Sequence, residues 1–560
     1  MPVLTLKSFS GVAPRFTAAK LAPNMAQVAS NVRLLASSLD AWRQPLSVKT
    51  GLTAADTSTI YRMGQDLISD TQYWLHWTTD VDVAKGAIAD DQTERTYFAH
   101  PSLGLRQTNN SAALTDGSGD YPWGSFPVGV PAPASAPIAS VLTQGDEEDI
   151  DEVRFYVCTF VTQFGEEGPP SPASSALTVK PSGATVRLSN LPGSAPSGYT
   201  DRYGRLVSAD FTGHITAKRI YRTLSGLQAT DFQLVDEIPI AQTQYDDSIA
   251  SSDLSETLTS TEWLPPPAGA TGVTQMANGI MVIFKGYDIY PSEAYQPYAF
   301  PNAYSLAMDY PYVGAASLGS SSVVLTTSHP YLLTGSDPSA MNLTKLDAPQ
   351  ACVSKRSITA ADGGVAYASP DGLMFVTASG QVTNLTKNIF TRKEWQSLVP
   401  SSIDGYFHDG RYFGFYDAGG MRGGFIFEPQ EGAGAFTFID TFASAGFVDT
   451  LQDALYLKVG GEIVKWDAGS SPMTYRWKSA KFEQARPSNP ACAQVVATQY
   501  PVTFKLIADD VTVHAQSVED ATPFWLPADF RARFLEVELS GAVEVLSVHV
   551  ASSPMELATV

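Results

Sequence analysis

Short alternating strands separated by tight turns recur at a near-constant interval between residues 360 and 467. The second turn of each successive hairpin pair falls at Gly380, Gly420 and Gly461, which are 40 and 41 residues apart. Asp-Gly and Gly-Gly turns between apolar residues are typical of β-hairpins, because such turns need positive φ. A four-stranded unit recurring every ~40 to 45 residues is typical of a β-propeller blade. The interval predicts a β-propeller, with a plain antiparallel sandwich as the alternative.

Length and composition favour a large, β-rich globular protein of several domains. The chain has 560 residues, 44% of them hydrophobic and only 17% charged, which is not the composition of a disordered chain. Its net charge of −21 argues against binding of nucleic acid through the phosphates, since such binding depends on Lys and Arg. An acidic surface is compatible with DNA that passes close by without binding.

The cysteines and the apolar runs indicate in which compartment the protein is made. Cys158, Cys352 and Cys492 lie far apart and form no Cys-x-x-Cys pair, so we expect buried thiols and neither a zinc site nor a disulfide framework. The first residues lack a basic end followed by an apolar stretch, so no signal peptide is expected. The longest apolar runs have the length of a strand. We therefore expect synthesis in a cytoplasm-like compartment.

Composition shifts divide the chain into four predicted parts. Residues 1–140 hold an N-terminal segment and the first propeller strands, and 141–264 form an inserted β-sandwich. Residues 265–475 form propeller blades, and 476–560 form a C-terminal β-sheet domain. A Pro-, Ala- and Gly-rich stretch at 122–137 marks the first boundary.

The N-terminal part combines two patterns. Met25, Val28, Ala29 and Val32 fall at helical spacing, which leaves either a short helix or a clamped extended segment. Three aromatic, alternating runs follow and could form one further blade. These runs are residues 60–63, 73–77 and 95–99.

The inserted part resembles a fibronectin type III-like domain. The resemblance depends on the long strand at 153–162 with its Gly-Glu-Glu-Gly-Pro-Pro-Ser-Pro ending, and on the Arg-Ile-Tyr-Arg-Thr strand at 219–223. Five or more short strands in about 110 residues suit a β-sandwich. An acidic run at 146–152 precedes it. That run lacks the ligand spacing of a calcium loop and is interpreted as a solvated loop rather than a metal site.

A Tyr- and Pro-rich stretch at residues 287–312 allows two interpretations. It is either an aromatic loop that binds sugar or a partner, or a connection between blades whose rings pack on the propeller rim. Such a loop needs covering by neighbouring elements in either case.

The motifs of the common enzyme classes are missing from the sequence. The seven histidines show no metalloprotease spacing, and neither a Gly-x-Ser-x-Gly elbow nor a phosphate-binding loop occurs. Acidic residues are plentiful, which leaves open a carboxylate pair for glycoside hydrolysis. Asp371-Gly372 is interpreted as a hairpin turn rather than a sialidase-type box. We expect no enzymatic activity, no cofactor and no metal site.

The opening of the chain carries the most specific pattern. It comprises Gly11-Val12-Ala13-Pro14-Arg15, Leu21, Ala26-Gln27-Val28-Ala29-Ser30-Asn31-Val32, Leu39 and Arg43-Gln44-Pro45. This pattern resembles the opening of phage tail nozzle proteins, the tail tubular B or tail hub proteins of short-tailed phages. The order of parts along the whole chain is also similar. The family-motif residues, with a structural or assembly role, are Pro14, Arg15, Gln27, Asn31 and Arg43.

The resemblance implies a structural virion protein in the viral tail. It implies a homo-hexamer around a central channel, placed beneath the portal and adaptor rings, that carries double-stranded DNA without binding it specifically. It also implies contacts with tail fibres, spikes or a plug. The apolar runs are shorter than the ~20 residues that span a bilayer, so no membrane insertion is expected. Two alternatives stay open. One is a propeller-fold protein that binds or cleaves glycans, and the other is a receptor-binding tail fibre, although no sustained heptad is visible.

Overall fold

The computed structural model describes residues 4–35, 37–52, 57–63, 69–87, 91–115, 121–200, 206–207, 211–223, 231–430 and 435–557. Contacts between Cα atoms divide the chain into two compact units. The first unit comprises residues 1–78, 323–332 and 345–560, and the second comprises 79–322 and 333–344. The sequence-based boundaries at residues 140, 264 and 475 stay predictions.

Strands make up most of the described chain. Those that precede the Tyr- and Pro-rich stretch, or lie in it, are β1 (Leu4–Leu6), β2 (Ala26–Ser30), β3 (Val32–Leu35), β4 (Ser38–Ala41), β5 (Leu46–Lys49), β6 (Thr59–Arg62), β7 (Trp74–Trp77), β8 (Asp82–Lys85), β9 (Thr96–His100), β10 (Gly104–Thr108), β11 (Phe126–Pro127), β12 (Ile138–Thr143), β13 (Glu152–Arg154), β14 (Tyr156–Thr162), β15 (Leu177–Val179), β16 (Thr185–Ser189), β17 (Tyr199–Thr200), β18 (Leu206–Val207), β19 (Ile215–Thr223), β20 (Phe232–Pro239), β21 (Tyr245–Asp247), β22 (Gly272–Gln275), β23 (Met281–Lys285), β24 (Asp288–Pro291) and β25 (Leu306–Ala307).

The later strands continue the same pattern to the end of the described chain. They are β26 (Tyr312–Ser317), β27 (Ser321–Thr326), β28 (Tyr331–Thr334), β29 (Asn342–Lys345), β30 (Thr359–Ala361), β31 (Gly364–Ser369), β32 (Gly372–Thr377), β33 (Val382–Asn384), β34 (Asp404–His408), β35 (Arg411–Ala418), β36 (Met421–Phe427), β37 (Phe436–Ile439), β38 (Ala445–Asp449), β39 (Ala454–Val459), β40 (Glu462–Lys465), β41 (Tyr475–Ser479), β42 (Phe482–Ser488), β43 (Cys492–Ala497), β44 (Val502–Ala508), β45 (Val511–Val518), β46 (Phe524–Trp525), β47 (Ala532–Gly541) and β48 (Val545–Ala551).

Helical structure is limited to single turns. The α-helices are α1 (Asn110–Leu114), α2 (Arg392–Gln396) and α3 (Pro554–Leu557), and the 3₁₀ turns are Ala18–Lys20, Ser251–Asp253, Ser260–Glu262, Ala277–Gly279, Asn302–Tyr304, Pro338–Ala340, Lys355–Ser357 and Pro400–Ser402. The predicted all-β class is confirmed.

Four-stranded antiparallel sheets in simple chain order recur along the chain. They are β8 to β11, β22 to β25, β26 to β29 and β30 to β33, and β34 to β37 repeat the same order at one end of a larger sheet. Asp409 and Gly410, with φ of 49° and 72°, form the two-residue turn between β34 and β35. Both positions are left-handed, which is why Asp-Gly is favoured there. Each such meander has the form of a propeller blade.

The first strands of successive blades are neighbours within each unit. In the first unit β30 lies beside β34, β34 beside β38, and β38 beside β6. In the second unit β8 lies beside β22, and β22 beside β26. Side-by-side first strands are what radially arranged blades produce. The fold is therefore propeller-like, as the turn interval predicted.

Two local predictions from the N-terminal part can now be compared with the structure. Residues 26–30 and 32–35 are strands, so the extended alternative is confirmed and the helical one is wrong. The three aromatic runs do not share one blade, because β6 pairs with β7 while β9 pairs with β8 and β10. The error arose because alternation within a strand says nothing about which strand lies beside it.

Residues 138–247 of the second unit form a sandwich of small sheets. The sheets are β12-β16-β21, β13-β15 and β14-β19-β20. Strand β14 pairs with β19 over its whole length, from Tyr156 opposite Arg222 to Thr162 opposite Ile215. Both sheet layers contribute to one apolar core, which includes Tyr156, Cys158, Val179, Val186, Leu188 and Ile220.

The C-terminal strands of the first unit belong to a larger, ten-stranded sheet. Its order is β34-β35-β36-β37-β2-β41-β47-β44-β45, with β42 also paired to β47. A second sheet, β3-β4-β48-β43-β46 with β1 on β48, packs over a shared core. That core includes Leu39, Phe504, Leu506, Val537, Leu539, Val548 and Val550. Strand β2 thus joins the blade β34 to β37 and the C-terminal strands into one sheet.

Candidate functional site

The N-terminal strap, defined here as residues 9–49, links three parts of the first unit. Its strand β2 lies between β37, to which it is parallel, and β41, to which it is antiparallel. Ser30 pairs with Phe438 and Ala29 with Trp477. The small residues of β2 suit this position, since Ala26 and Ala29 are almost fully buried. Without β2, the blade and the C-terminal strands would not form one sheet.

The strap approaches the blade more closely at Gly11 than a side chain would allow. A Cβ atom at this position would lie 2.1 Å from the carbonyl oxygen of Phe436. The backbone N–H of Val12 donates a hydrogen bond of 2.8 Å to that same oxygen. Glycine is therefore required because backbone packs directly on backbone.

Arg15 anchors the start of the strap to the loop after β33. Pro14 is half-buried in a turn, and Arg15 is exposed. The backbone N–H of Arg15 donates to the carbonyl of Ile389 at 2.9 Å, and its Nη1 donates to the carbonyl of Lys387 at 2.8 Å. Arg15 thus fixes the strap to this loop through both backbone and guanidinium.

Gln27 occupies a bulge in β2. The pairing with β41 shifts between Ala26 and Val28, so Gln27 has no partner opposite it. Its side-chain Nε2 instead donates to the carbonyl of Ser479 at 2.8 Å. A bulge interrupts the ladder of hydrogen bonds. The glutamine amide restores one bond across that interruption.

Asn31 joins the strap to two other segments. It has φ of 58° and is only 4% exposed. Its Nδ2 donates to Asp440 Oδ2 at 2.7 Å and to the carbonyl of Thr474 at 3.1 Å, and its Oδ1 accepts from the Asp440 N–H at 3.0 Å. Asparagine tolerates the left-handed conformation better than most residues. One residue therefore satisfies both an unusual backbone angle and three hydrogen bonds.

Arg43 acts through its backbone rather than its exposed side chain. Its N–H donates to Asp467 Oδ1 at 2.7 Å, while Asp467 Oδ2 pairs with Arg33 at 3.2 Å. The neighbouring Trp42 ring is flanked by the guanidinium groups of Arg33, at 4.9 Å, and Arg411, at 5.7 Å. Cations over an indole face are stabilising. Asp467 thus holds two points of the strap at once.

The end of the strap completes a blade. Strand β5 pairs antiparallel with β40 and supplies the fourth strand of the sheet β38-β39-β40-β5. Its partners are far away in sequence, with Ser47 opposite Val464 and Leu46 opposite Lys465. Closing a blade with a distant strand removes an exposed edge.

Asp440 and Asp467 are the site residues that sequence reasoning missed. Each follows an apolar run, Asp440 after β37 and Asp467 after Trp466, so each looks like an ordinary strand-ending acid. Their partners lie more than 400 residues away, which no local pattern signals. An open depression of about 730 Å³ lies beside this region, lined by Asn31, Pro45, Asp440, Phe442, Val464 and Thr474.

The side chains of the strap hold distant segments together. Arg15, Gln27 and Asn31 are all engaged in hydrogen bonds to distant backbone. The five family-motif residues all lie within this segment of the sequence, and their role in assembly stays a prediction.

Buried carboxylates elsewhere in the chain pair with arginines. Asp247 contacts Arg222, both with fully buried side chains, and accepts from the Tyr156 hydroxyl at 2.8 Å. Glu167 pairs with Arg219 at 2.8 Å. Buried charges are retained where they are paired and hydrogen-bonded. The charges of both carboxylates are therefore compensated within the sandwich, and removing one arginine would leave its partner carboxylate buried and unpaired.

The cysteines are poor nucleophiles. All three are buried and unpaired. Burial raises the pKa of Cys158 to about 11 and that of Cys352 to about 12, and it also raises the pKa of Cys492. A thiol with a raised pKa holds little thiolate at neutral pH.

Among the described residues, no group of three or more His, Cys, Asp or Glu side chains is arranged to hold a metal ion. Within the same residues, none of the helices has the length and apolar character needed to cross a membrane.

Comparisons with known proteins add only distant structural similarity. No family model and no curated protein matches the chain. A Dos1 propeller is 10% identical, with a TM-score of 0.29, over 76% of this chain and 95% of that one. The BBS1N chain from a complex with ARL6DN is 12% identical, with a TM-score of 0.24, over 50% and 92%.

The extracellular domain of a putative one-component system, BT4673, from B. thetaiotaomicron is 8% identical, with a TM-score of 0.23, over 94% of this chain and 87% of that domain. Because all three TM-scores are below 0.5, these likenesses carry no argument about function.

Proposed function

We propose that this chain is a structural subunit of a short-tailed phage tail nozzle. Six copies surround a channel, dock to the portal-adaptor ring above, and carry fibres or a plug around it. The chain performs no catalysis in this role. Double-stranded DNA passes through the channel without specific binding.

The observation that carries the proposal is the N-terminal strap. The residues that resemble the nozzle family lie on one segment that is hydrogen-bonded to a blade, to the loop after β33 and to the C-terminal strands. A subunit that resists load during genome ejection needs its parts joined by many distributed bonds. The strap supplies such joints at Arg15, Gln27, Asn31 and β5.

The charge of the chain supports the same role. Each copy carries −21, so six copies carry a formal charge of about −126. Like charges repel over about 8 Å, the Debye length at physiological ionic strength. Acidic side chains facing the channel would keep DNA from adhering. Replacing channel-facing acids with Lys is expected to slow genome ejection, and unchanged ejection would remove this part of the proposal.

Negative-stain electron microscopy of the purified full-length protein tests the proposal. We expect ring-shaped particles with six-fold symmetry and a central channel, formed without added ligand. Isolated globular particles at micromolar concentration would contradict it.

A further inference from the structure

The Tyr- and Pro-rich stretch contributes to a cavity in the second unit that the nozzle role does not use. The cavity has a volume of about 210 Å³. Residues 295–298 form one side of it, and the other sides come from residues around β9 and from the turn after β14. Water occupies about 30 Å³ per molecule. The space therefore holds roughly seven waters, or one small ligand.

The polar side of the cavity is built around a buried ion pair. Arg95 Nη1 lies 2.9 Å from Glu166 Oε1, with side chains 14% and 3% exposed. Glu166 Oε2 accepts from Gln107 Nε2 at 3.0 Å. Arg95 Nε is buried and has no hydrogen-bond partner in the described chain. A buried donor left without a partner is uncommon and calls for an acceptor.

The other sides of the cavity are aromatic. Tyr97 and Tyr298 are almost fully buried, and Phe164 lies beneath the Arg95 guanidinium at 4.1 Å. Tyr295 is 60% exposed. Aromatic faces bind the apolar C–H face of a ring-shaped ligand while nearby polar groups bind its edge.

Gln296 adds an amide that can both donate and accept. Its side chain lines the cavity and makes no hydrogen bond within the described residues. This amide and the carboxylate of Asp91, which also lines the cavity, together match a ligand whose hydroxyls donate and accept in turn.

The balance of charge favours a neutral ligand. Arg95 is offset by Glu166, and Asp91 also lines the cavity. Burial acts to raise the pKa of Asp91, but hydrogen bonds from Thr93 and Arg95 outweigh it and hold that pKa below its usual range. An anionic ligand would therefore face the ionised carboxylate of Asp91.

We propose that this cavity binds one neutral sugar ring, either as a free monosaccharide or as the terminal unit of a glycan. The site goes beyond the nozzle role and does not depend on it. Gln296 binds hydroxyls, and the tyrosine side chains pack on the ring.

Saturation-transfer difference NMR on the full-length protein tests the site. The probes are D-glucose, D-galactose, N-acetyl-D-glucosamine, L-rhamnose and D-glucuronate, each also as its methyl glycoside. We expect millimolar binding of at least one neutral sugar. Binding of the methyl glycoside as well assigns the site to a glycan end, and binding of the free sugar alone assigns it to a monosaccharide.

Two variants locate the binding. Gln296→Ala and Tyr295→Ala are each expected to weaken sugar binding at least tenfold. Tyr287→Ala is the matched control, because Tyr287 is a half-exposed tyrosine of the same stretch that does not line the cavity. Arg95 and Glu166 are left unchanged, since removing either leaves the other charge buried without its partner.

Three results would overturn the inference. They are binding of no sugar in the panel, preference for glucuronate over every neutral sugar, and unchanged binding by both cavity variants. Ring formation by the same variants is measured separately, so a failed sugar site and a failed nozzle role give different results.

Discussion

At the scale of single residues, Asn31 combines two constraints that few side chains meet together. Its backbone is left-handed, and its amide bonds both to Asp440 and to the carbonyl of Thr474. Removing the amide leaves the Asp440 N–H and the Thr474 carbonyl without these partners, and both residues are exposed to water. The loss is therefore that of ordinary hydrogen bonds rather than that of buried groups left unpaired.

We predict that Asn31→Ala lowers the free energy of unfolding of the first unit by about 1 to 2 kcal/mol, because the side chain loses its hydrogen bonds to Asp440 and Thr474. Urea denaturation followed by tryptophan fluorescence measures the change. Asn190→Ala is the control, because Asn190 has a similar φ of 59° but an exposed side chain with one bond to Ala136. If the two substitutions lower the free energy of unfolding equally, the hydrogen bonds between Asn31 and Asp440 add no stability.

Gly11 is constrained by space rather than by φ. We predict that Gly11→Ala costs about 3 kcal/mol, because the new methyl would meet the Phe436 carbonyl at 2.1 Å and force the strap away. Gly461→Ala is the control, since a Cβ there has nothing within 4 Å. Thermal denaturation of both variants checks this, and an unaltered Gly11→Ala midpoint would argue against close packing of the strap.

The carboxylate of Glu538 gives a prediction for how stability depends on pH. Burial acts to raise the pKa of Glu538, but hydrogen bonds from Arg476 and Lys505 outweigh it and lower that pKa. A lowered carboxyl pKa stabilises the fold above the unfolded value, near 4.5, and the stabilisation is lost as pH falls through the folded value.

We therefore predict that Glu538→Gln destabilises the first unit by about 1 to 2 kcal/mol at pH 7 and that the difference disappears in acid, well below pH 4.5. Melting temperatures across this range, with Glu462→Gln as the control, provide the measurement. Glu462 makes no ion pair in the part of the chain that is described. A difference in melting temperature that persists in acid would mean that Glu538→Gln acts through packing and not through the lost charge.

At the scale of elements, β2 is the strand whose position matters most. It has a partner on each side, β37 and β41, although both lie more than 400 residues away in sequence. Amides in the interior of a sheet exchange only when the sheet opens.

Hydrogen exchange read by mass spectrometry tests this placement. We predict that amides of β2 exchange on the order of a thousandfold more slowly than those of β12, an edge strand with mostly exposed side chains. Comparable rates for the two strands would mean that the strap is not inserted in solution.

The hairpins could be predicted from sequence because their determinants are local. Asp409-Gly410 encodes the turn between β34 and β35 within a few residues, and the same chemistry recurs at each blade. The joints of the strap could not be predicted, because Asn31 and Asp440 are 409 residues apart. Helical spacing at Met25 to Val32 was misleading for the same reason, since pairing with distant strands decided the conformation.

The cavity at the Tyr- and Pro-rich stretch could be predicted from the sequence only in part. Its aromatic residues were visible in the sequence, and Tyr295 to Tyr298 do line a cavity. Arg95 and Glu166 could not be assigned to the same place, because they come from elements on either side of the acidic run. The composition therefore indicated that aromatic side chains lie together here, but it did not indicate that Arg95 and Glu166 lie beside them.

At the scale of the whole molecule, we propose that the chain is one part of a larger ring. In that proposed role the strap stabilises each copy internally, the net charge of −21 keeps DNA from adhering, and the blades supply the scaffold. Each of these features is mechanical. Sugar binding in the second unit would add contact with a surface glycan without changing that role.

The number of subunits is the most direct test of the central claim. Six copies of the 60.0 kDa chain give an assembly of about 360 kDa. Mass photometry and sedimentation velocity on the purified full-length protein are predicted to show this hexamer at micromolar concentration. A single species of about 60 kDa under the same conditions would contradict the account.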